Sequence, residues 1–156
     1  MYKILRFIVN ISIHVFFKSV VIRNKENMPT EGPLIIVSNH PSTFMDPIVG
    51  AAFLEQPSYF LAMGKLFNSP FKEWILNRMH VIPIFRKQDD PNKLNQNEAI
   101  FNRCQDFLAG KGTLMIFPEG TSINERRLRK IKTGTARIAL GAEAAYNYQL
   151  NLQIIS

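Results

Sequence analysis

Short, mainly apolar runs alternate along this chain with longer stretches in which apolar residues recur every three or four positions. The runs are Leu34 to Val37, Tyr59 to Ala62, Val81 to Phe85, Thr113 to Phe117 and Leu150 to Ile155. Because side chains on a strand alternate between its two faces, a run with no polar face predicts a strand covered on both sides. The intervening stretches carry helix signals. Asp46-Pro47 predicts a helix through Leu54, with the aspartate as N-cap and the proline at the first helical position. Ser69-Pro70 repeats that start and places Phe71, Trp74 and Ile75 on one face. Ile100, Phe101, Cys104, Phe107 and Leu108 share one face of a helix from about Asn97 to Ala109, stopped by Gly110. An alanine-rich helix follows from about Thr135 to Tyr146. Strands alternating with helices predict an α/β fold, a mainly parallel central sheet flanked by helices.

The first 23 residues read differently. From Ile4 to Ile22 the chain is mostly apolar, but Lys3, Arg6, Asn10, His14, Lys18 and Arg23 recur at roughly helical spacing. A cleavable signal peptide has an unbroken apolar centre and a small-residue cleavage site, and neither is visible. A spanning helix needs about 20 predominantly apolar residues, which the cations interrupt. The expectation is an amphipathic helix lying in the membrane interface, its cations toward headgroups; the alternative is a first helix packed on the core. The organisation expected is thus a membrane-associating helix over residues 1–23 and one globular domain over 24–156. The end of the chain inside an apolar run predicts a domain truncated at its C-terminus.

Charge narrows the partners. The sequence holds 19 Lys plus Arg against 12 Asp plus Glu, a net charge of +7, and such a surplus favours anionic ligands or anionic surfaces. Arg126, Arg127, Arg129, Lys130 and Lys132 fall in one stretch opposed only by Glu125. No zinc-finger spacing or aromatic RNA-binding motif accompanies it, so a nucleic-acid partner is not expected. The single cysteine, Cys104, excludes an internal disulfide and fits a reducing environment. His14, His40 and His80 are too scattered for a familiar metal-ligand set.

In sheets of this kind ligands bind beyond the carboxyl ends of the strands. His40, Arg86 and Glu119 each lie just past a predicted strand and are expected to converge there. In Ser38-Asn39-His40-Pro41-Ser42-Thr43-Phe44-Met45-Asp46, an imidazole and a carboxylate flank a short loop. A carboxylate holding one ring nitrogen would fix the tautomer and leave the other nitrogen to take a proton from an alcohol. Asp46 equally has a full explanation as a helix cap. Phe117-Pro118-Glu119-Gly120-Thr121-Ser122 turns abruptly and offers a carboxylate, two hydroxyls and free backbone N–H groups, a tip suited to a polyol phosphate or to an ordinary turn.

Asn39-His40 followed by Asp46, the stretch Gly64 to Arg86, and Phe-Pro-Glu-Gly-Thr at 117–121 resemble, in order and spacing, the first three sequence blocks of the glycerophosphate and lysophosphatidic acid acyltransferase superfamily. The resemblance covers about residues 25–156. It implies His40 as general base on the acceptor hydroxyl, Asp46 as its orienting partner, and Arg86, Glu119, Gly120 and Thr121 in the site of a glycerophosphate or lysolipid acceptor. The donor it implies is a thioester, acyl-CoA or acyl carrier protein, attacked directly without an acyl-enzyme, so that neither Ser42 nor Cys104 is needed as a nucleophile and no separate cofactor is expected. A lipid surface at the cytoplasmic face of a membrane is the implied location, and a catalytically silent membrane-binding protein of the same fold is the alternative. Two departures stand out. Five residues separate His40 from Asp46 where the commonest block has four, so the loop must bulge. Ser122, read with Thr121 as a hydroxyl near the phosphate, follows Thr121 where the family usually has arginine, which leaves the phosphate contact to Arg86 or to Arg126, Arg127 and Arg129. A fourth block, a strand end containing proline, would lie past Ser156.

Overall fold

The computed structural model describes residues 2–42, 45–54, 57–86, 89, 91–122, 127 and 129–156. Five strands form one sheet: β1 (Leu34–Val37), β2 (Ser58–Met63), β3 (Val81–Ile84), β4 (Thr113–Ile116) and β5 (Gln153–Ile155). They run parallel in the order β3-β2-β4-β1-β5. Among the described residues five α-helices accompany them: α1 (Tyr2–Phe16), α2 (Met45–Phe53), α3 (Pro70–Arg78), α4 (Gln96–Ala109) and α5 (Gly134–Ala145).

The strand order explains the layering. The path from β1 to β2 to β3 steps one way across the sheet, and from β3 to β4 to β5 it steps back. Right-handed crossovers taken in opposite directions put their helices on opposite faces. Ile35, Leu114 and Ile116 therefore pack with Cys104 and Leu108 of α4 and Ile138 and Ala142 of α5. Leu34, Ile36, Phe60 and Met115 form the second layer with Leu54 at the end of α2. Leu108 is fully buried, and replacing such a leucine by alanine costs about 2–5 kcal/mol. Pro83 sits in β3, which pairs only with β2; an edge strand tolerates a residue without an N–H.

Three boundaries differ from expectation, each for a local reason. Asp46 is not an N-cap: its N–H already donates to the Ser42 carbonyl, 3.4 Å, so the helix has begun before it, and its carboxylate turns back to the loop. The fifth strand starts at Gln153 rather than Leu150, because the Glu143 carboxylate accepts the N–H groups of Leu150 (3.3 Å) and Leu152 (2.7 Å). The first helix ends at Phe16 rather than Ile22.

The faces of α1 also correct the expected orientation of its cations. Arg6 does not point outward: its Nε donates to the Ala52 carbonyl in the last turn of α2, 3.1 Å, where unpaired carbonyls favour a cation. Ile13 is buried and His14 rests against Phe53. The opposite face is apolar and open, with Ile4, Phe7, Ile8, Ile11 and Val15 exposed and Phe16 beside them 80% exposed. Among the described residues no helix is long and apolar enough to cross a membrane.

Candidate active site

The loop after β1 is closed by one carboxylate oxygen. Asp46 Oδ2 accepts the Ser42 N–H at 2.8 Å and meets His40 Nδ1 at 3.0 Å. The extra loop residue is thereby absorbed, and the expected pair forms. With Nδ1 held by a carboxylate, the proton sits on Nδ1 and Nε2 keeps its lone pair for a substrate. The imidazole lies over the ring of Phe117, centroids 4.2 Å apart, and its side chain is 15% exposed.

Phe117 begins the turn after β4. The Gly120 N–H returns to the Phe117 carbonyl at 3.0 Å, and Gly120 adopts φ +67°, which glycine takes without strain. The Lys132 N–H donates to the Pro118 carbonyl at 2.9 Å, so the segment entering α5 is tied to this turn. A Cβ on Gly120 would lie 2.8 Å from Lys132 Nζ. The lysine side chain passes over the glycine because nothing else occupies that space.

After β3, Asn97 of α4 holds the backbone of Phe85 as a neighbouring strand would: its Oδ1 accepts the Phe85 N–H at 2.9 Å and its Nδ2 donates to the Phe85 carbonyl at 2.6 Å. The next residue, Arg86, is aimed inward. Its guanidinium donates to Asp89, to the Gly120 carbonyl and to the Met63 sulfur, bracing the loop after β3 against the turn after β4. The hydrogen bond from Arg86, together with its charge and that of Lys65 at 3.4 Å, holds the Asp89 carboxyl below the usual carboxylate range against the opposing effect of burial.

These loops border one cavity of about 1010 Å³. His40, Arg86, Thr121, Ser122 and Lys132 contribute polar groups to the wall. Most of the remaining lining is apolar, with Val9 of α1, Ile48 and Ala51 of α2, Leu76 of α3, Met79 and Phe85, and with Arg6, Arg78 and Asn97 among them. A chamber of this shape can take a long hydrocarbon with its reactive end at an imidazole.

Of the residues singled out from sequence, the structure gathers His40, Arg86, Gly120, Thr121 and Ser122 on this wall, with Asp46 behind the imidazole. Glu119, between Pro118 and Gly120 on the same turn, is 7% exposed and does not line the cavity itself. Arg126 lies outside the described residues, and Arg127 is exposed. Cys104 is fully buried in the core, and burial pushes its thiol up to about 12, leaving it protonated and inert as a nucleophile. Sequence reading missed Asn97 and Lys132 as site residues. Asn97 had only its helix-start position to mark it, and Lys132 was one charge in a run of five.

Known proteins of similar sequence and structure identify the family of the chain. The family model named Acyltransferase matches residues 19–154, and the chain belongs to that family. A chloroplastic 1-acyl-sn-glycerol-3-phosphate acyltransferase of Brassica napus is 34% identical over 131 residues, 83% of this chain and 36% of that protein. A lyso-ornithine lipid O-acyltransferase of Pseudomonas aeruginosa is 30% identical over 113 residues, 72% of this chain and 40% of that protein. Among solved structures, the 1-acyl-sn-glycerophosphate (LPA) acyltransferase PlsC of Thermotoga maritima superposes with TM-score 0.67 at 22% identity, over 90% of this chain and 53% of that one. The fold is shared, while the chain spans between a third and about half the length of these relatives.

Proposed function

We propose that this protein transfers a fatty acyl group from a thioester, acyl-CoA or acyl carrier protein, to the free hydroxyl of 1-acylglycerol 3-phosphate or glycerol 3-phosphate. The observation that carries the reading is the His40–Asp46 pair, 3.0 Å apart, with His40 in the wall of a largely apolar cavity. His40 Nε2 removes the acceptor's hydroxyl proton as the oxygen attacks the thioester carbonyl. Asp46 stabilises the imidazolium. The tetrahedral adduct then expels the thiolate, which takes the proton from His40, giving an ester and a free thiol. General base assistance of this kind contributes about 10²–10⁴-fold. The acyl chain occupies the apolar part of the cavity, where each buried methylene is worth about 0.8 kcal/mol.

The exposed apolar face of α1 supports docking on a lipid surface, which we assign to the cytoplasmic side of a membrane. Val9 of the same helix is in the cavity wall, so that a lipid acceptor and a docked helix would meet at one place. A second reading, a catalytically silent membrane-binding protein, is favoured by one observation: Arg86 is already engaged with Asp89, and Ser122 stands where the related block has arginine. Incubating the purified protein with several acceptors and both kinds of thioester, and weighing the products by mass spectrometry, separates the two. New ester supports the enzyme; vesicle binding without ester from any pair supports the silent protein.

A further inference from the structure

The departure at Ser122 leaves a question of which cation meets the acceptor's charge. Arg86 is bonded to Asp89 and Gly120, Arg6 is bonded to the Ala52 carbonyl, Arg78 lies over the Trp74 ring, and Arg127 and Arg129 are not part of the cavity wall. We infer that Lys132 is the phosphate-binding residue of this site, and that it selects acceptors carrying a phosphomonoester; the inference rests on the acyltransferase reading above.

Four observations place it. Lys132 shares the cavity wall with His40, Thr121 and Ser122. Its Cδ, Cε and Nζ run across Gly120, 3.0, 3.2 and 2.8 Å from where a Cβ would be, so the glycine clears the path of the ammonium. Its backbone is pinned to Pro118 at 2.9 Å, which fixes where the side chain starts. Among the described residues no carboxylate pairs with it, unlike Arg86. Beside it, Thr133, Gly134 and Thr135 bring the start of α5 to the same wall, and the buried Thr135 hydroxyl oxygen has no hydrogen-bond partner among the described residues. An ammonium, the N–H groups that the first turn of a helix leaves without an intrahelical partner and an unused hydroxyl are together the chemistry that binds a phosphate dianion. A glycerophosphate seated there keeps its free hydroxyl on the side of His40. The phosphates of a CoA donor are the other source of the same charge, and relatives named for a glycerophosphate and for a lyso-ornithine lipid show that acceptor chemistry varies in this family.

The test compares wild type with Lys132→Met and Lys132→Arg, exposed replacements that leave the core untouched. Steady-state constants are measured for 1-acylglycerol 3-phosphate, for phosphate-free 1-acylglycerol and for acyl-CoA. Lys132→Met is expected to raise KM for the phosphorylated acceptor about ten- to a hundred-fold, with kcat and the KM of acyl-CoA and of 1-acylglycerol within about three-fold. Lys132→Arg restores most of the affinity. Calorimetric titration with inorganic phosphate is expected to show binding to wild type that Lys132→Met abolishes. An unchanged KM for the phosphorylated acceptor, or a rise confined to acyl-CoA, overturns the inference. Should the wild type acylate no acceptor, the acyltransferase reading fails, while the phosphate titration still decides for or against the site.

Discussion

The imidazole of His40 lies face to face with the ring of Phe117, centroids 4.2 Å apart and planes 20° from parallel. The two residues come from loops at the ends of different strands, so this stack joins the two blocks of sequence on which the acyltransferase reading stands. Stacked aromatic pairs are worth about 0.5–1.5 kcal/mol beyond area burial. Phe117→Leu keeps the apolar bulk and loses the stack: kcat is expected to fall about five- to ten-fold as the imidazole gains freedom, and the melting temperature by a few degrees. Steady-state kinetics beside thermal denaturation check it.

Asp46→Asn tests the other constraint on His40. Asparagine preserves the volume, yet it offers no charge to an imidazolium and can present its amide to Nδ1, which selects the wrong tautomer. The expected loss in kcat is about 10²–10⁴-fold. The Ser42 N–H also loses a charged acceptor, at about 1 kcal/mol of stability. Kinetics and urea unfolding on the same preparation separate the two effects.

Asp89 makes the structure sensitive to acid. Its folded carboxyl titrates below the free value of 3.8, chiefly through the hydrogen bond from Arg86. The unfolded chain therefore takes up this proton at higher pH than the folded one. The stabilisation is complete above the unfolded pKa and disappears as pH falls through the folded pKa. Asp89→Asn should be less stable than wild type at pH 7, and the gap should close as pH is lowered from ~5 toward ~2. Chemical denaturation across that range reads it directly.

Asn97→Ala removes both hydrogen bonds to Phe85 and is expected to destabilise the protein by about 1–3 kcal/mol. Its functional effect should pass through Arg86. The KM for acceptor rises several-fold in the wild-type background, and Asn97→Ala adds nothing further in an Arg86→Ala background. Additive effects in that double-mutant cycle would show that Asn97 does not position Arg86.

Much of this architecture is written in local patterns. The four-residue runs at 34–37 and 113–116 are buried on both faces, and Ser69 caps α3 by accepting the Lys72 N–H, as Ser-Pro implied. What escaped local reading depends on long-range partners. Locally Asp46 fits two readings, helix cap or partner of His40, and only the return of the loop decides for the second. Leu150 and Leu152 look like strand residues, but their N–H groups belong to Glu143, seven and nine positions earlier. Asn97 stands in for a missing edge strand, and Lys132 crosses a glycine twelve positions before it. Neither relationship leaves a periodic trace in sequence.

The most direct measurement is acyl transfer from acyl-CoA to 1-acylglycerol 3-phosphate by wild type, His40→Ala and Ser42→Ala, with intact-protein mass spectrometry during turnover. The account predicts diacylated product from wild type, loss of at least about a thousand-fold in His40→Ala with an unchanged circular dichroism spectrum, near-wild-type Ser42→Ala, and no acylated protein. Robust transfer by His40→Ala, or an acyl group found on Ser42, would contradict it.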